Sequence, residues 1–92
     1  MADLAPTSVS LEGKVAFITG ASSGIGAATA RALAARGVGL GLASRHRSDH
    51  GLEGSAAFAC DVRDPDQVKA AVDATVARFG RLDIVIANAG VG

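Results

Sequence analysis

The stretch T-G-A-S-S-G-I-G at residues 19–26 places glycines at 20, 24 and 26, between an apolar run at 15–18 and an alanine-rich run. A strand that turns sharply into a helix needs such backbone freedom. The helix start that follows would present unsatisfied N–H groups and about half a positive charge. A phosphate is the natural ligand of that end, provided no Cβ blocks its approach. Gly20, Gly24 and Gly26 are therefore read as making room for a pyrophosphate, with Thr19, Ser22 and Ser23 adding hydroxyls that could donate to phosphate or cap the helix. The spacing G-x-x-x-G-x-G differs from the common G-x-G-x-x-G fingerprint, and no Lys follows the last glycine as a P-loop requires. A strand-to-helix turn without a ligand is the competing reading of the glycines alone.

The elements around this turn follow from pattern. Val15 to Thr19 is a short continuous apolar run, as expected of a strand buried on both faces of a parallel sheet. Behind the glycines, Ile25, Ala28, Thr29, Ala32 and Leu33 recur at helical spacing, and Gly37 is the expected stop. Residues 38–44 read as a second strand, whose Gly39 and Gly41 permit close packing against a helix. Residues 45–55 are polar and glycine-bearing and read as a loop; residues 56–60 read as a third strand. Asp64 as N-cap, Pro65 as first helical residue and Gln67 as capping-box partner predict a helix. Its buried stripe would be Val68, Ala71, Val72, Thr75, Val76 and Phe79, and Gly80 would end it. Residues 83–87 read as a fourth strand. Strands alternating with helices imply parallel pairing through right-handed crossovers. The fold class is α/β: a Rossmann-type doubly wound parallel sheet, incomplete at about four strands and two helices. Residues 1–13 read as a polar leader, and 14–92 as the N-terminal half of a dinucleotide-binding domain.

L-E-G-K-V-A-F-I-T-G-A-S-S-G-I-G at residues 11–26 closely resembles the start of the short-chain dehydrogenases/reductases. Asp61-Val62 after the third strand resembles that family's adenine-contacting position, and Ala87-Asn88-Ala89-Gly90 resembles its N-N-A-G motif after the fourth. The resemblance runs from Leu11 onward. It implies that Gly20, Gly24 and Gly26 form the phosphate turn, with the Ile25 backbone against the cofactor. It implies that Asp61 bonds the adenine amine, that Val62 flanks the ring, and that Asn88, Ala89 and Gly90 line the ribose and brace the sheet. Ala87 departs from the motif's first Asn, which removes one hydrogen bond from the pattern.

Cofactor choice is read from the end of the second strand. An NAD-preferring site carries an acidic residue there for the ribose 2′-hydroxyl. Here Ser44 is followed by Arg45, His46 and Arg47. Ser44 offers a hydroxyl without repulsion, and the planar fork of Arg45 suits a 2′-phosphate. NADP(H) is expected over NAD(H), and an Asp at position 44 is expected to weaken NADPH binding. A solvated loop is the plainer account of Arg45 and Arg47.

The family resemblance implies hydride transfer between NADP(H) and a carbonyl or secondary alcohol, using a Tyr-x-x-x-Lys pair, a Ser and an Asn beyond the fourth strand. The sequence contains no Tyr, so no catalytic residue is assigned. The reading is thus an oxidoreductase lacking its catalytic residues in these 92 residues, with a non-catalytic NADP-binding module or an inactive remnant as alternatives. The substrate is not readable, and the whole protein is expected to be oligomeric. A fourth strand without a neighbour on its far side would expose an apolar edge and favour aggregation.

Composition supports these limits. Hydrophobic residues make up 49% and charged residues 20%, an ordinary globular balance. Nine basic residues offset nine acidic ones, which gives no electrostatic case for nucleic acid or an anionic membrane. No run approaches the ~18 apolar residues of a membrane span, and the N-terminal residues do not follow a secretory pattern. A lone Cys60 fits a reducing, cytoplasmic setting and reads as core packing. His46 and His50 read as solvated loop residues, since no third ligand accompanies them at metal-site spacing. Asp73, Arg78 and Arg81 read as surface.

Overall fold

The computed structural model describes residues 10–22 and 24–88. Ser23, Ala89 and Gly90, named above as site residues, lie outside them. Four strands, β1 (Val15–Thr19), β2 (Gly39–Ser44), β3 (Ala56–Ala59) and β4 (Ile84–Ala87), form one parallel sheet in the order β3-β2-β1-β4. Helix α1 (Gly24–Ala35) joins β1 to β2, and α2 (Pro65–Phe79) joins β3 to β4. This is the expected Rossmann-type half-sheet.

β1 is buried along its whole length because it is covered on both faces. Ala16 and Ile18 join Leu40, Leu42, Ala30 and Val38 in one apolar cluster, against which Leu33 and Ala34 of α1 pack. Phe17, Ala43, Cys60 and Ala71 form the opposite cluster, with Val68 and Val72 of α2 beside it. The glycines of β2 let α2 come close. A Cβ on Gly41 would collide with Thr75 Oγ1 and lie 2.8 Å from its Cγ2, and one on Gly39 would lie 3.0 Å from the Phe79 ring.

The buried face of α1 is not the expected one. Ile25 is 75% exposed and Ala28 and Ala32 are exposed, whereas Gly26, Ala27 and Ala30 are buried. The helix turns its smallest residues to the sheet, which brings the two backbones together. In so alanine-rich a segment nearly every position is apolar, so periodicity cannot select the face.

α2 follows its signals more closely. Asp64 is the N-cap and accepts from the Asp66 amide, Pro65 opens the helix, and Gly80 closes it at φ 82° with its N–H on the Val76 carbonyl. The capping box is altered. Gln67 donates to the Asp64 carboxylate at 3.2 Å and accepts from the Asp61 amide at 2.8 Å. Gln67 therefore ties the β3–α2 turn to the helix start, where a standard box would bond the N-cap's own amide.

Parallel strands are usually joined by about a dozen residues or more that include a helix. Residues 45–55 join β2 to β3 through turns alone. This loop crosses on the α1 side, where Leu52 packs against the apolar cluster. Within it, the Leu52 amide donates to the Asp49 carbonyl at 2.8 Å, and the intervening His50 and Gly51 have φ of 53° and 71°. Two successive positive φ values make this a turn of the I′ kind. Leu11 also packs on the α1 side, and the Gly13 amide donates to the Gly37 carbonyl at 3.2 Å. Among the described residues no helix is long and apolar enough to cross a membrane.

Candidate functional site

Register brings the candidate residues to one end of the sheet. Thr19 pairs with Ala43 on one side and Ala87 on the other, and Ala43 pairs with Phe58. The next residues out, Gly20, Ser44, Ala59 and Asn88, therefore leave the carboxyl ends of the strands at a common level. α1 departs from β1 on one face, while α2 covers the other face and leads into β4. The gap between β1 and β4 is thus a switch point of the kind where doubly wound sheets bind ligands.

The glycine turn is built from its surroundings inward. Gly20 and Gly24 adopt φ of 65° and 48°, which side chains rarely tolerate. A Cβ on Gly24 would meet no atom within 4 Å, so the start of α1 is open to approach. No acidic side chain occupies the helix's first turn, which leaves its positive end uncompensated. Gly26 has a different task from the one expected. Its missing Cβ would strike the Gly20 carbonyl and lie 2.8 Å from Asn88 Nδ2. Gly26 makes room for the chain's own turn, whereas Gly24 lies clear on an open side.

Asn88 holds the turn from β4. Its backbone N–H donates to Thr19 Oγ1 at 3.1 Å, and its Nδ2 donates to the Gly20 carbonyl at 3.3 Å. The bracing part of its expected role is present. The Ala21 amide donates to the Ala43 carbonyl at 3.3 Å, tying the turn to β2. A further tie is unexpected: His50 Nε2 lies 2.6 Å from the Ala21 carbonyl. His50 is half-buried, not the solvated loop residue its sequence context suggests. Only the unusual shortness of the β2–β3 connection could have pointed to it.

The ends of β2 and β3 frame a second region. Ser44 is buried, and its hydroxyl donates to the His46 carbonyl at 2.6 Å. That proton closes the turn after β2, so the hydroxyl expected at the ribose is engaged with the chain's own backbone. Arg45 is exposed and lines an open depression of about 350 Å³ with Ala59, Cys60, Asp61, Arg63 and Gln67. Val62, next to Asp61, is 36% exposed.

Asp61 is more occupied than the resemblance implies. Its Oδ1 accepts from the Arg63 amide at 2.9 Å and from Arg63 Nε at 3.0 Å, and its Oδ2 accepts from Arg63 Nη2 at 2.8 Å. These side-chain bonds first, then the Arg63 backbone N–H and the positive charges of Arg63 and Arg45, hold its carboxyl far below the usual carboxylate range. A carboxylate has about four acceptor positions, so Oδ2 keeps capacity for one more donor. Arg63 carries no motif that marks it in sequence, and the capping pattern marks Gln67 as the partner of Asp64 but not of the Asp61 amide. Arg78 also exceeds an ordinary surface role, since its Nη2 donates to the Gly54 carbonyl at 3.1 Å and its guanidinium stacks 5.3 Å from the Phe79 ring centre. Among the described residues no cluster of His, Cys, Asp and Glu could hold a metal ion.

This glycine turn, on this sheet order, defines a Rossmann-type α/β half-sheet. The model of the short chain dehydrogenase family matches residues 14–92, and the chain belongs to that family. It is 46% identical to D-threitol dehydrogenase of Mycolicibacterium smegmatis, over 88% of this chain and 35% of that protein. It is 47% identical to tropinone reductase-like 2 of Erythroxylum coca, over 88% of this chain and 32% of that one. The fold superposes on a short chain dehydrogenase from Mycobacterium paratuberculosis bound to NAD, with TM-score 0.81 and 34% identity, covering 91% of this chain and 39% of that one. A 3-ketoacyl-(acyl-carrier-protein) reductase from Brucella melitensis complexed with NADH gives TM-score 0.76 at 36% identity, covering 83% of this chain and 34% of that one. The chain thus spans about a third of the length of the curated relatives it matches.

Proposed function

We propose that the whole protein transfers hydride between NADP(H) and a carbonyl or secondary alcohol, and that these residues supply the adenosine-pyrophosphate half of its cofactor site. The observation that carries this reading is the start of α1. It is free of acidic side chains, cleared by Gly24, and set at the switch point between β1 and β4. The backbone N–H groups at Gly24 and Ile25 would meet the pyrophosphate, as helix starts do. The exposed Ile25 side chain and the remaining acceptor position on Asp61 suit a ligand laid across this end of the sheet. Ser22 and Ser23 would add hydroxyls, Val62 would flank the adenine, and Asn88, Ala89 and Gly90 would border the ribose. The nicotinamide, when bound, supplies or accepts the hydride. The proton-transferring Tyr-x-x-x-Lys pair is assigned to sequence following β4, in keeping with the family resemblance.

The preference for NADP(H) rests on charge. Arg45 is exposed beside Asp61, whose own charge is already balanced by Arg63. A 2′-phosphate there would meet a guanidinium and no free carboxylate. A charge-assisted bond contributes about 1.5–3 kcal/mol, or roughly ten- to a hundredfold in affinity. Because Ser44 is buried and bonded, an Asp at 44 would disturb the fold as well as the ligand. Arg45→Ala is the cleaner probe. It should weaken NADPH binding by that factor while leaving NADH binding within about twofold, as read by calorimetry. Equal losses for both cofactors, or none for NADPH, would remove the 2′-phosphate assignment.

A further inference from the structure

We infer that His50 is a positioning residue for the dinucleotide site, holding the glycine turn at Ala21 from a loop that has no other evident reason to carry a histidine; this rests on the pyrophosphate reading of that turn. Three observations converge. The first is the contact itself: His50 Nε2 lies 2.6 Å from the Ala21 carbonyl, between residues 29 apart in sequence. A carbonyl only accepts, so Nε2 carries the hydrogen and donates. The second is conformational. His50 occupies the first central position of the Asp49–Leu52 turn at φ 53°, a left-handed conformation that glycine favours and that histidine adopts more readily than most side chains, so the turn sets the direction in which the imidazole leaves the loop. The third is anchorage. Leu52 pins the loop to the apolar cluster under α1, and the His50 amide donates to Ser48 Oγ at 3.2 Å. The imidazole is therefore mounted on a fixed base and aimed at the turn.

The consequence is specific to the turn. The Ala21 amide is tied to Ala43 of β2, the Gly20 carbonyl to Asn88 just after β4, and the Ala21 carbonyl to His50. The peptide groups leading to the helix start are thus fixed from three directions, and His50 supplies the one that comes from the β2–β3 connection. Loss of that tie leaves the Ala21–Ser22 peptide free to rotate where the phosphates would dock.

The test uses substitutions that separate conformation from donation. His50→Asn suits the turn's backbone but is too short to reach Ala21; His50→Gln reaches and donates but does not favour the positive φ. NADPH affinity is measured by calorimetry on the protein as its source makes it, and hydrogen exchange of the Ala21 and Ser22 amides is followed without ligand. We expect His50→Asn to weaken NADPH roughly three- to tenfold, as one lost hydrogen bond would, and to speed exchange at the turn. His50→Gln should bind within about twofold of the unsubstituted protein. Asn binding as tightly as His, or Gln binding as weakly as Asn, overturns the inference, as does unchanged exchange in His50→Asn. If the unsubstituted protein binds neither NADPH nor NADH, the cofactor reading falls; faster exchange in His50→Asn would then show the tie alone to be real.

Discussion

Cys60 and Asp61 sit side by side at the end of β3, and their environments push them to opposite behaviour. The Asp61 carboxylate is partly exposed and clasped by Arg63, so it stays ionised through the whole neutral range. What it can still offer a ligand is one lone-pair position, not a free carboxylate, and any adenine contact must fit around the Arg63 fork. Cys60 is buried at 3% exposure. Burial first, and then the negative charges of Asp61 and Asp64, push its thiol up. Both terms disfavour the thiolate, which is the reactive form. In the folded protein Cys60 should therefore react with a thiol reagent at pH 8 at least about tenfold more slowly than in denaturant. Labelling at the denatured rate under native conditions would mean that the β3 end opens readily. Asp61, Asn88 and the glycines were legible in sequence because motif spacing carries them. His50 and Arg63 were not, and Gln67 was legible only as the capping partner of Asp64, because their other contacts exist only once the chain has taken its path.

At the level of elements, legibility tracked the strength of local signals. β1 could be read because burial on both faces leaves an unbroken apolar run, and α2 because Asp64, Pro65 and Gly80 mark both ends. The face of α1 could not be read, since alanine and glycine on every side make the burial a matter of backbone approach and not of apolar pattern. The same close approach governs α2 on β2. Gly41 and Thr75 are both buried, and Thr75 is held in one orientation by donating to the Ala71 carbonyl at 2.9 Å. A methyl group at position 41 has nowhere to go unless the helix lifts from the sheet. Gly41→Ala should therefore destabilise the fold by about 1–3 kcal/mol, the usual range for overpacking, in a denaturant titration. Thr75→Ala removes both atoms that the new methyl meets first, so the double substitution should recover part of the loss. Strict additivity of the two changes would argue that α2 rests on β2 differently.

For the molecule as a whole, coverage of the sheet is uneven, and the unevenness has a measurable outcome. α2 lies over β2, β1 and β3, and α1 lies over β1 and β2. β4 is hydrogen-bonded to β1 alone among the described strands. Ile84 and Ile86 turn to the α1 side and are half-buried against its cluster, whereas Val85, in register with Phe17 on the α2 side, is 62% exposed. An apolar strand with an unpaired edge and a bare face is a template for pairing with a second copy. A polypeptide made of residues 1–92 alone should therefore aggregate through β4, at rates that rise steeply with concentration. Val85→Lys places a charge on that face without entering the core, so its effect on folding stability should stay within about 0.5 kcal/mol. It should nonetheless delay the growth of light scattering at a given concentration, whereas a Lys at another exposed site such as Ala77 on α2 should not. Equal delay by both would assign the effect to net charge, and no delay by either would move the sticky surface away from β4. A delay confined to Val85→Lys identifies the β4 side of the sheet as the surface that a polypeptide of these residues cannot leave bare.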